Sequence, residues 1–281
     1  MDAVRVVGVV LVRDEDLFVE QAIRNVAGVC DRIHAVDHMS RDRTGEILES
    51  LARELDHLDV RRSRDAAESH ALLDEYMGTA TWVLGVDGDE LFDPAGLAQL
   101  AGDLRAGRYD NAFKLKAHVL NCDALDEARG IATGWLAPPS RPVTKLFNLA
   151  AVESWTGSPE RLHGGTPVFR EGFAWDPALD LAATTTWESD PLRCLHLCFL
   201  RRSSLESPGD AGARKNLTET HAFRRGAVAT LARRLRPRRL SPAAAKVAEK
   251  GTTWKHEWYT RGPRVEVDAW PFLGRPARVG A

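Results

Sequence analysis

The sequence predicts an α/β fold: a mostly parallel, doubly wound sheet of the Rossmann-like kind, flanked by helices and followed by a helical C-terminal extension. Three features indicate it. Short apolar segments rich in β-branched residues alternate with helical segments through residues 1–110. Each helical segment carries a single apolar stripe. Charged residues follow the apolar segments, at the strand ends where sheets of this kind bind ligands.

Strands and helices alternate in order along this first half. Residues 4–12 are a nearly continuous apolar run, as expected of a strand that is buried on both faces of a parallel sheet. Further strands are predicted at 32–37, 58–62 and 82–86. Helices are predicted at 15–29, from 44 through the apolar stripe at 47–55, and at 67–77.

The pattern changes after residue 93. Longer strands are predicted at 112–121 and 143–149, with a Gly/Pro-rich loop containing Trp135 between them, and another strand at 192–200. Residues 155–188 predict loops over the site. The chain is then expected to be helical at 211–235, with a tail at 254–272 that packs back. We divide the chain into 1–110, 111–205 and 206–281, within one continuous domain.

Composition excludes several classes of protein. The chain has 281 residues, enough for one large domain or two smaller ones. Its formal charge of −2 provides no global attraction to nucleic acid, so no nucleic-acid partner is expected. The lack of a signal-peptide pattern or a long apolar window favours a cytoplasmic protein without a membrane span. The four cysteines have no CxxC spacing and predict no disulfide framework.

An acidic cluster closes the strand at 82–86. Asp87, Asp89 and Glu90 place three carboxylates in four residues, and two like charges 4 Å apart repel by about 4 kcal/mol at an effective dielectric of about 20. Such a cluster lies in solvent, raises a pKa or binds a cation. Gly88 leaves the backbone open to a close ligand. Oxygen ligands of this kind suit Mg²⁺ or Mn²⁺, although Asp-Gly is also a common polar turn.

Two other strand ends carry polar residues. Asp37 follows the strand at 32–37, and Arg64 follows the strand at 58–62. Ser40, Asp42 and Thr44 come directly after Asp37 and have an ordinary interpretation as helix N-cap residues. Because parallel strands end at the same sheet edge, Asp37, Arg64 and Asp87 are expected to lie near one another.

Three motifs resemble those of the family 2-like glycosyltransferases, which have the GT-A fold and an Asp-x-Asp motif, and they occur in the order that they have in that family. They are RDE at 13–15, VDHMSRDRT at 36–44 and WVLGVDGDE at 82–90. Weaker similarity extends to KLF at 145–147, to residues 155 and 162–163, and to LHL at 195–197. Asp14 departs from the usual Asn, and Gly164 departs from a common Glu.

The resemblance implies a metal-dependent glycosyltransferase that moves a sugar, with inversion, from a nucleoside diphosphate sugar to a hydroxyl-bearing small molecule or glycan. Residues 1–110 would bind the donor and 111–205 the acceptor. The implied donor-binding residues are Arg13, Glu15, Asp37, Arg64, Asp87 and Gly88. The implied ligands of Mn²⁺ or Mg²⁺ are Asp87, Asp89 and His196. His163 is the candidate general base, with Glu160 and Asp180 behind it, and Asp89 shares the catalytic role through the metal. Trp155 and Lys215 are the acceptor candidates.

Some residues keep alternative interpretations. Cys194, His196 and Cys198 would share one side of a strand, as in a zinc site, but a fourth ligand is missing. His196 also suits a core position, and His163 a structural loop. The basic stretch at 223–239 is expected to cover the core with a solvated outer face, although it would also suit peripheral contact with a membrane or a polyanionic acceptor. One or two tryptophans are expected to contact sugar, from among Trp135, Trp155, Trp187, Trp254 and Trp258.

Three other classes compete with this hypothesis. A sugar-phosphate nucleotidyltransferase needs a Gly-rich loop after the first strand, and residues 12–16 contain no glycine. A haloacid dehalogenase-like phosphatase needs Thr or Val where Leu91 stands. A non-catalytic nucleotide- or carbohydrate-binding module stays open because of Asp14 and Gly164. We also expect Asp89→Ala to abolish transfer and to change stability by less than about 1 kcal/mol, on the premise that Asp89 lies at a solvent edge.

Overall fold

A seven-stranded sheet forms the centre of the molecule. A computed structural model describes residues 3–140, 143–174, 179–207 and 253–274. Four parallel strands in the order β3-β2-β1-β4 make up one side of this sheet, and β9, β6 and β12 continue it beyond β4, with β9 antiparallel to both of its neighbours. The strands are β1 (Arg5–Val12), β2 (Arg32–Asp37), β3 (Leu58–Arg62), β4 (Thr81–Val86), β6 (Lys114–Ala117), β9 (Val143–Asn148) and β12 (Leu179–Asp180).

Helices cover both faces of the parallel part. Alternate residues of β1 point to opposite faces: Val10 packs in the cluster that contains the apolar residues of α1, α2 and α4, whereas Val9 packs in the cluster on the side of α3. The helices are α1 (Val19–Ala27), α2 (Thr44–Glu54), α3 (Glu68–Ala71) and α4 (Pro94–Arg105). This arrangement buries every residue of β1 after Arg5.

A second sheet continues directly from the first. Its strand order is β14-β8-β7-β13-β5, and β5 begins only four residues after β4 ends. The turn at 87–89 therefore connects the two sheets. The strands of this sheet are β5 (Glu90–Phe92), β7 (Val119–Asp126), β8 (Ile131–Ala137), β13 (Cys194–His196) and β14 (Arg264–Asp268). A separate hairpin consists of β10 (Val152–Thr156) and β11 (Thr166–Phe169), and α5 spans Thr253–Tyr259.

The predicted α/β fold with a mostly parallel sheet flanked by helices is confirmed. The strands of the first half lie within one residue of their predicted bounds. The tail packs back as expected, because β14 pairs with β8 and Phe272 is fully buried. No helix in the described part of the chain is both long and apolar enough to cross a membrane.

Several predicted elements were wrong in extent. The helix expected at 15–29 shortens to α1, and the segment expected to form loops at 155–188 includes β11 and β12. The strand expected at 112–121 divides into β6 and β7, which belong to different sheets, and Trp135 lies on β8 instead of in a loop. The helix expected at 67–77 is only α3 followed by a 3-10 turn at Asp74–Tyr76, and the strand expected at 192–200 shortens to β13. The predicted helix at 211–235, with Lys215, lies outside the described residues.

Candidate active site

Asp87 is held by two cations at the start of the acidic turn. Its carboxylate pairs with Nη1 of Arg161 and lies 3.3 Å from Nζ of Lys145. Burial opposes its ionisation, but Arg161 and Lys145 hold the pKa of Asp87 well below its usual value. The side chain of Asp87 keeps 29% of its surface exposed, so an ionised carboxylate reaches the protein surface at the acidic turn.

Glu90 is the opposite case on the same turn. Its side chain is fully buried at the start of β5, where it pairs with Lys145. Burial, with the nearby charges of Asp87 and Asp89, raises the pKa of Glu90 to about 8. Two carboxyl groups three residues apart thus have pKa values shifted in opposite directions: the pKa of Asp87 is lowered by its two cations, and that of Glu90 is raised by burial.

Asp89 lies inside the protein and not at a solvent edge. It is only 1% exposed, which corrects the premise of our sequence-based expectation for Asp89→Ala. Its Oδ2 lies 2.5 Å from Nη1 of Arg202, and the same guanidinium nitrogen lies 3.4 Å from Oε1 of Glu15. His196 approaches Asp89 from β13, with Nε2 3.8 Å from Oδ2.

A chain of hydrogen bonds orients His196. The Ser140 hydroxyl donates to the carbonyl of Leu136, so Ser140 accepts from Nδ2 of Asn121. The amide oxygen of Asn121 is then the acceptor for Nδ1–H of His196, at 3.0 Å. A neutral His196 therefore presents the lone pair of Nε2 toward Asp89, which is the tautomer that binds metal ions through Nε2.

The predicted divalent ion fits Asp89 and His196. Asp89 supplies a carboxylate oxygen from the turn before β5, and His196 supplies an imidazole nitrogen from β13, where Asn121 holds the ring. Among the described residues, no three His, Cys, Asp or Glu side chains are grouped closely enough to hold a metal ion by themselves. The zinc alternative at residues 194, 196 and 198 therefore has no support in this part of the chain. An ion at Asp89 would complete its shell with water or phosphate oxygens.

The second motif, residues 40–44, anchors the loop that follows β1. Backbone N–H groups of this loop donate to three side chains of the motif: Asp14 to Ser40, Glu15 to Thr44 and Asp16 to Asp42, at 2.7–3.2 Å. The N-cap interpretation holds for Asp42, whose Oδ1 accepts from the N–H of Thr44, the first residue of α2, at 2.9 Å. These bonds fix Glu15 beside the acidic turn, where Gly88 leaves no Cβ to displace it.

Asp37 ends β2 as a buried carboxylate. Its Oδ1 accepts from the N–H of Ser40 at 2.8 Å. Its Oδ2 is buried, has no hydrogen-bond donor among the residues that the structure describes, and lies 3.4 Å from Nε of Arg62. Arg62 also donates to the carbonyl of Ser40. The structure thus places Arg62 against Asp37, whereas the Arg64 expected there is exposed. Arg13 is half-buried, with Nε 3.9 Å from Asp14.

The base candidates occupy different environments. His163 is 56% exposed, and its Nδ1 lies 3.5 Å from Oε1 of Glu160. Glu160 is buried, and its Oε2 has no hydrogen-bond partner within the described part of the chain. Its Oε1 lies 3.5 Å from Nη2 of Arg161. Arg161 thereby connects this pair to Asp87. Asp180 instead accepts from the N–H of Ala182 and begins a 3-10 turn, which is a structural role.

The acceptor candidates are less informative. Trp155 is buried in a cluster with Phe113 and Phe147, and its indole donates to the carbonyl of Gly164, as expected of a core residue. Trp187 is also buried and stacks on Phe272. Trp135 and Trp258 keep partial exposure, while Lys215 and the side chain of Trp254 lie outside the described residues.

Sequence reasoning missed five residues of this site. Arg161, Arg202 and Arg62 provide its guanidinium groups, Lys145 was noted only within a motif of the acceptor side, and Asn121 orients His196. The one local signal was the presence of Arg161 between Glu160 and His163. The backbone φ of Arg161 is 39°, a left-handed conformation that residues other than glycine rarely adopt.

The chain has only low similarity to known proteins. No family model and no curated protein matches the chain. Among solved structures, the chain is similar to glucosyl-3-phosphoglycerate synthase of Mycobacterium tuberculosis, at 22% identity over 41% of this chain and 44% of that one, with a TM-score of 0.29. It is also similar to 4-diphosphocytidyl-2C-methyl-D-erythritol synthase of Anaerococcus prevotii, at 12% identity over 53% and 72%, with a TM-score of 0.33. A UDP-glucose pyrophosphorylase matches at 12% identity over 54% and 72%, with a TM-score of 0.25. Scores this low carry no argument, so the proposals below rest on the residues of this chain.

Proposed function

We propose that this protein is a metal-dependent glycosyltransferase that moves a sugar from a nucleoside diphosphate sugar to a hydroxyl group. The observation that carries the proposal is the pair of Asp89, in the turn that precedes β5, and His196, on β13, beside the carboxyl end of β4. A ligand that bears phosphates and a divalent ion suits this arrangement.

Asp37 is the proposed contact for the nucleobase. Its buried Oδ2 receives no hydrogen bond from the described residues, and a buried carboxylate oxygen without a donor destabilises the folded state. A nucleobase N–H would supply the missing donor. Arg62, 3.4 Å away, would neutralise the charge from the solvent side. Arg13, Arg64, Asp87 and Gly88 remain candidates for the rest of the donor.

Asp89 and His196 are the proposed ligands of Mn²⁺ or Mg²⁺. When bound, the ion would neutralise the negative charge that develops on the diphosphate as the sugar leaves. Asp87 has a different part in this proposal, because Arg161 and Lys145 occupy its oxygens. It keeps these two cations fixed behind the site and presents its exposed edge to the donor.

Glu160 and His163 are the proposed proton acceptors on the acceptor side. His163 is exposed enough to meet an incoming hydroxyl, and Glu160 lies 3.5 Å from its other ring nitrogen. In this arrangement His163 takes the proton as the hydroxyl attacks, and Glu160 stabilises the imidazolium that forms. Attack on the face opposite the diphosphate inverts the anomeric centre.

Calorimetric titration tests the donor half of the proposal. The wild-type protein is titrated with UDP, GDP, dTDP and CDP, with Mn²⁺ and with EDTA. We expect one diphosphate to bind with Mn²⁺ and to lose at least tenfold in affinity in EDTA, a difference of about 1.4 kcal/mol. Asp89→Asn should bind equally in both conditions. Equal affinity of the wild-type protein in EDTA would refute the metal dependence.

Product analysis tests the reaction itself. With the sugar form of the diphosphate that binds, release of the nucleoside diphosphate supports glycosyl transfer or donor hydrolysis, whereas release of a sugar phosphate with pyrophosphate would indicate a nucleotidyltransferase. His163→Ala should slow transfer to an acceptor and leave the affinity for the diphosphate unchanged. Binding without turnover of any donor would favour the non-catalytic module.

A further inference from the structure

Arg202 is a buried cation to which neither the sequence nor the proposed reaction has so far given a role. Its side chain is 10% exposed, and Nη1 pairs with Asp89 and Glu15. One guanidinium thus faces two carboxylates, one of which is a proposed metal ligand. The local charge of these three groups is −1, so the pairing leaves room for a further positive charge.

Hydrogen bonds hold the backbone around Arg202 in place. The N–H of Leu17 donates to the carbonyl of Arg202 at 3.2 Å. The hydroxyl of Ser203 donates to Asp42 at 2.6 Å, and Ser204 donates to Asp16 through both its N–H and its hydroxyl. The segment is therefore fixed on the loops that follow β1 and β2, and Arg202 approaches Asp89 from an anchored position.

The guanidinium keeps donors for a ligand. Only Nη1 donates a side-chain hydrogen bond to the residues that the structure describes, so Nε and Nη2 make none within this part of the chain. Neither Nε nor Nη2 is fully buried, so each retains accessible surface. A guanidinium with a free edge matches the paired oxygens of a phosphate.

We propose that Arg202 binds the diphosphate of the donor and, while the diphosphate is absent, competes with the divalent ion for Asp89. This inference rests on the proposed function. A diphosphate that draws the guanidinium toward itself weakens the pair with Asp89, which releases the carboxylate for the metal. Binding of the ion and of the diphosphate is then mutually favourable, and Arg202 couples them.

Opposite effects on two ligands distinguish this role from a structural one. In Arg202→Gln the diphosphate loses a charged hydrogen-bond partner, so its affinity should fall at least tenfold. Affinity for the phosphate-free nucleoside should change by less than about twofold. Affinity for Mn²⁺ alone should increase about threefold or more, because Asp89 and Glu15 lose their counter-ion. A merely structural residue would weaken all three.

The experiment measures these affinities by calorimetry, with Mn²⁺ binding also followed by electron paramagnetic resonance. Arg202→Lys keeps the positive charge and should retain most of the affinity for the diphosphate. It is the second variant to measure if Arg202→Gln does not fold. Arg264→Gln is the matched control, since Arg264 forms an exposed pair with Asp123. It should change none of the affinities.

The outcomes separate the two proposals. If the wild-type protein binds none of the nucleoside diphosphates, the proposed function fails and the role of Arg202 fails with it. If the wild-type protein binds a diphosphate but Arg202→Gln weakens nucleoside and diphosphate equally, or does not tighten Mn²⁺ binding, only the role of Arg202 is overturned. A selective loss for the diphosphate together with tighter Mn²⁺ binding supports it.

Discussion

Replacement of Asp89 by alanine would break a buried ion pair at the centre of the site. Asp89 is 1% exposed, and Arg202 would be left in the interior without its nearest carboxylate. Loss of one partner of a buried pair typically costs about 3–5 kcal/mol, because the other charge stays buried and uncompensated. Glu15, 3.4 Å from the same guanidinium nitrogen, retains part of the compensation. We therefore expect Asp89→Ala to lower the free energy of unfolding by about 3 kcal/mol, the lower end of this range.

Denaturant unfolding at pH 7 measures this loss. The series comprises the wild type, Asp89→Ala, Arg202→Met and the double variant, and the double variant should be less destabilised than the sum of the single changes by about 2 kcal/mol, as groups in contact are not additive. Asp123→Ala is the control, since it breaks an exposed pair with Arg264 and should hardly move the denaturation midpoint. If Asp89→Ala lost no more than the control, the reasoning from burial would be refuted and Asp89 would behave as a solvent-edge carboxylate.

Three further expectations concern packing, protonation and thiol chemistry. Gly88→Ala should lower the free energy of unfolding by about 1–3 kcal/mol, since the added Cβ would lie 2.8 Å from Cγ1 of Val12 and would also meet Glu15. Gly102→Ala is the control, because its added Cβ meets nothing within 4 Å, and it should raise the free energy of unfolding by up to about 1 kcal/mol. Thermal melts measure both, and equal shifts in melting temperature would contradict the prediction. Because the pKa of Glu90 is raised to about 8, the folded state retains a proton that the unfolded chain releases, so stability should fall as pH rises from about 5 to about 8, by up to about 1.4 kcal/mol per pH unit. Denaturation midpoints of Glu90→Gln should fall less over this range, and parallel slopes would count against the assignment. All four cysteines are buried, and burial raises the pKa of Cys30 to about 12. A thiol reagent should therefore react with the protein only after unfolding, and fast labelling of the native protein would disprove this.

The local pattern of the sequence predicted the parallel half of the fold well. Strands buried on both faces appear as apolar runs, so β1 and β4 could be placed from composition alone. β3 has one buried residue, Leu58, and was placed from its position between two helical segments. The break between β6 and β7 has no such pattern. It occurs at His118, whose N–H and Nδ1 both contact the buried carboxylate of Asp190, 72 residues away. A strand that changes sheet because of a distant partner cannot be found from its own residues.

The candidate site divides in the same way. Asp37 and Asp87 could be named because acidic residues at strand ends carry a local signal, and His196 because of the resemblance to a family. Arg64 was preferred to Arg62 because β3 was expected to present the residue beyond its end, whereas the last residue of the strand is the one that reaches Asp37. The cations of the acidic turn come from segments far along the chain, and an arginine in a loop gives no indication of the carboxylate that it will meet.

The acidic turn also has a consequence for the order in which the molecule assembles. Arg202 follows Asp89 by 113 positions, so a chain growing from the ribosome exposes the carboxylate long before its guanidinium has been synthesised. Until then, water solvates the carboxylate of Asp89, and the junction of the two sheets cannot exclude water. Closure of this junction around Asp89 therefore has to wait until Arg202 has been synthesised.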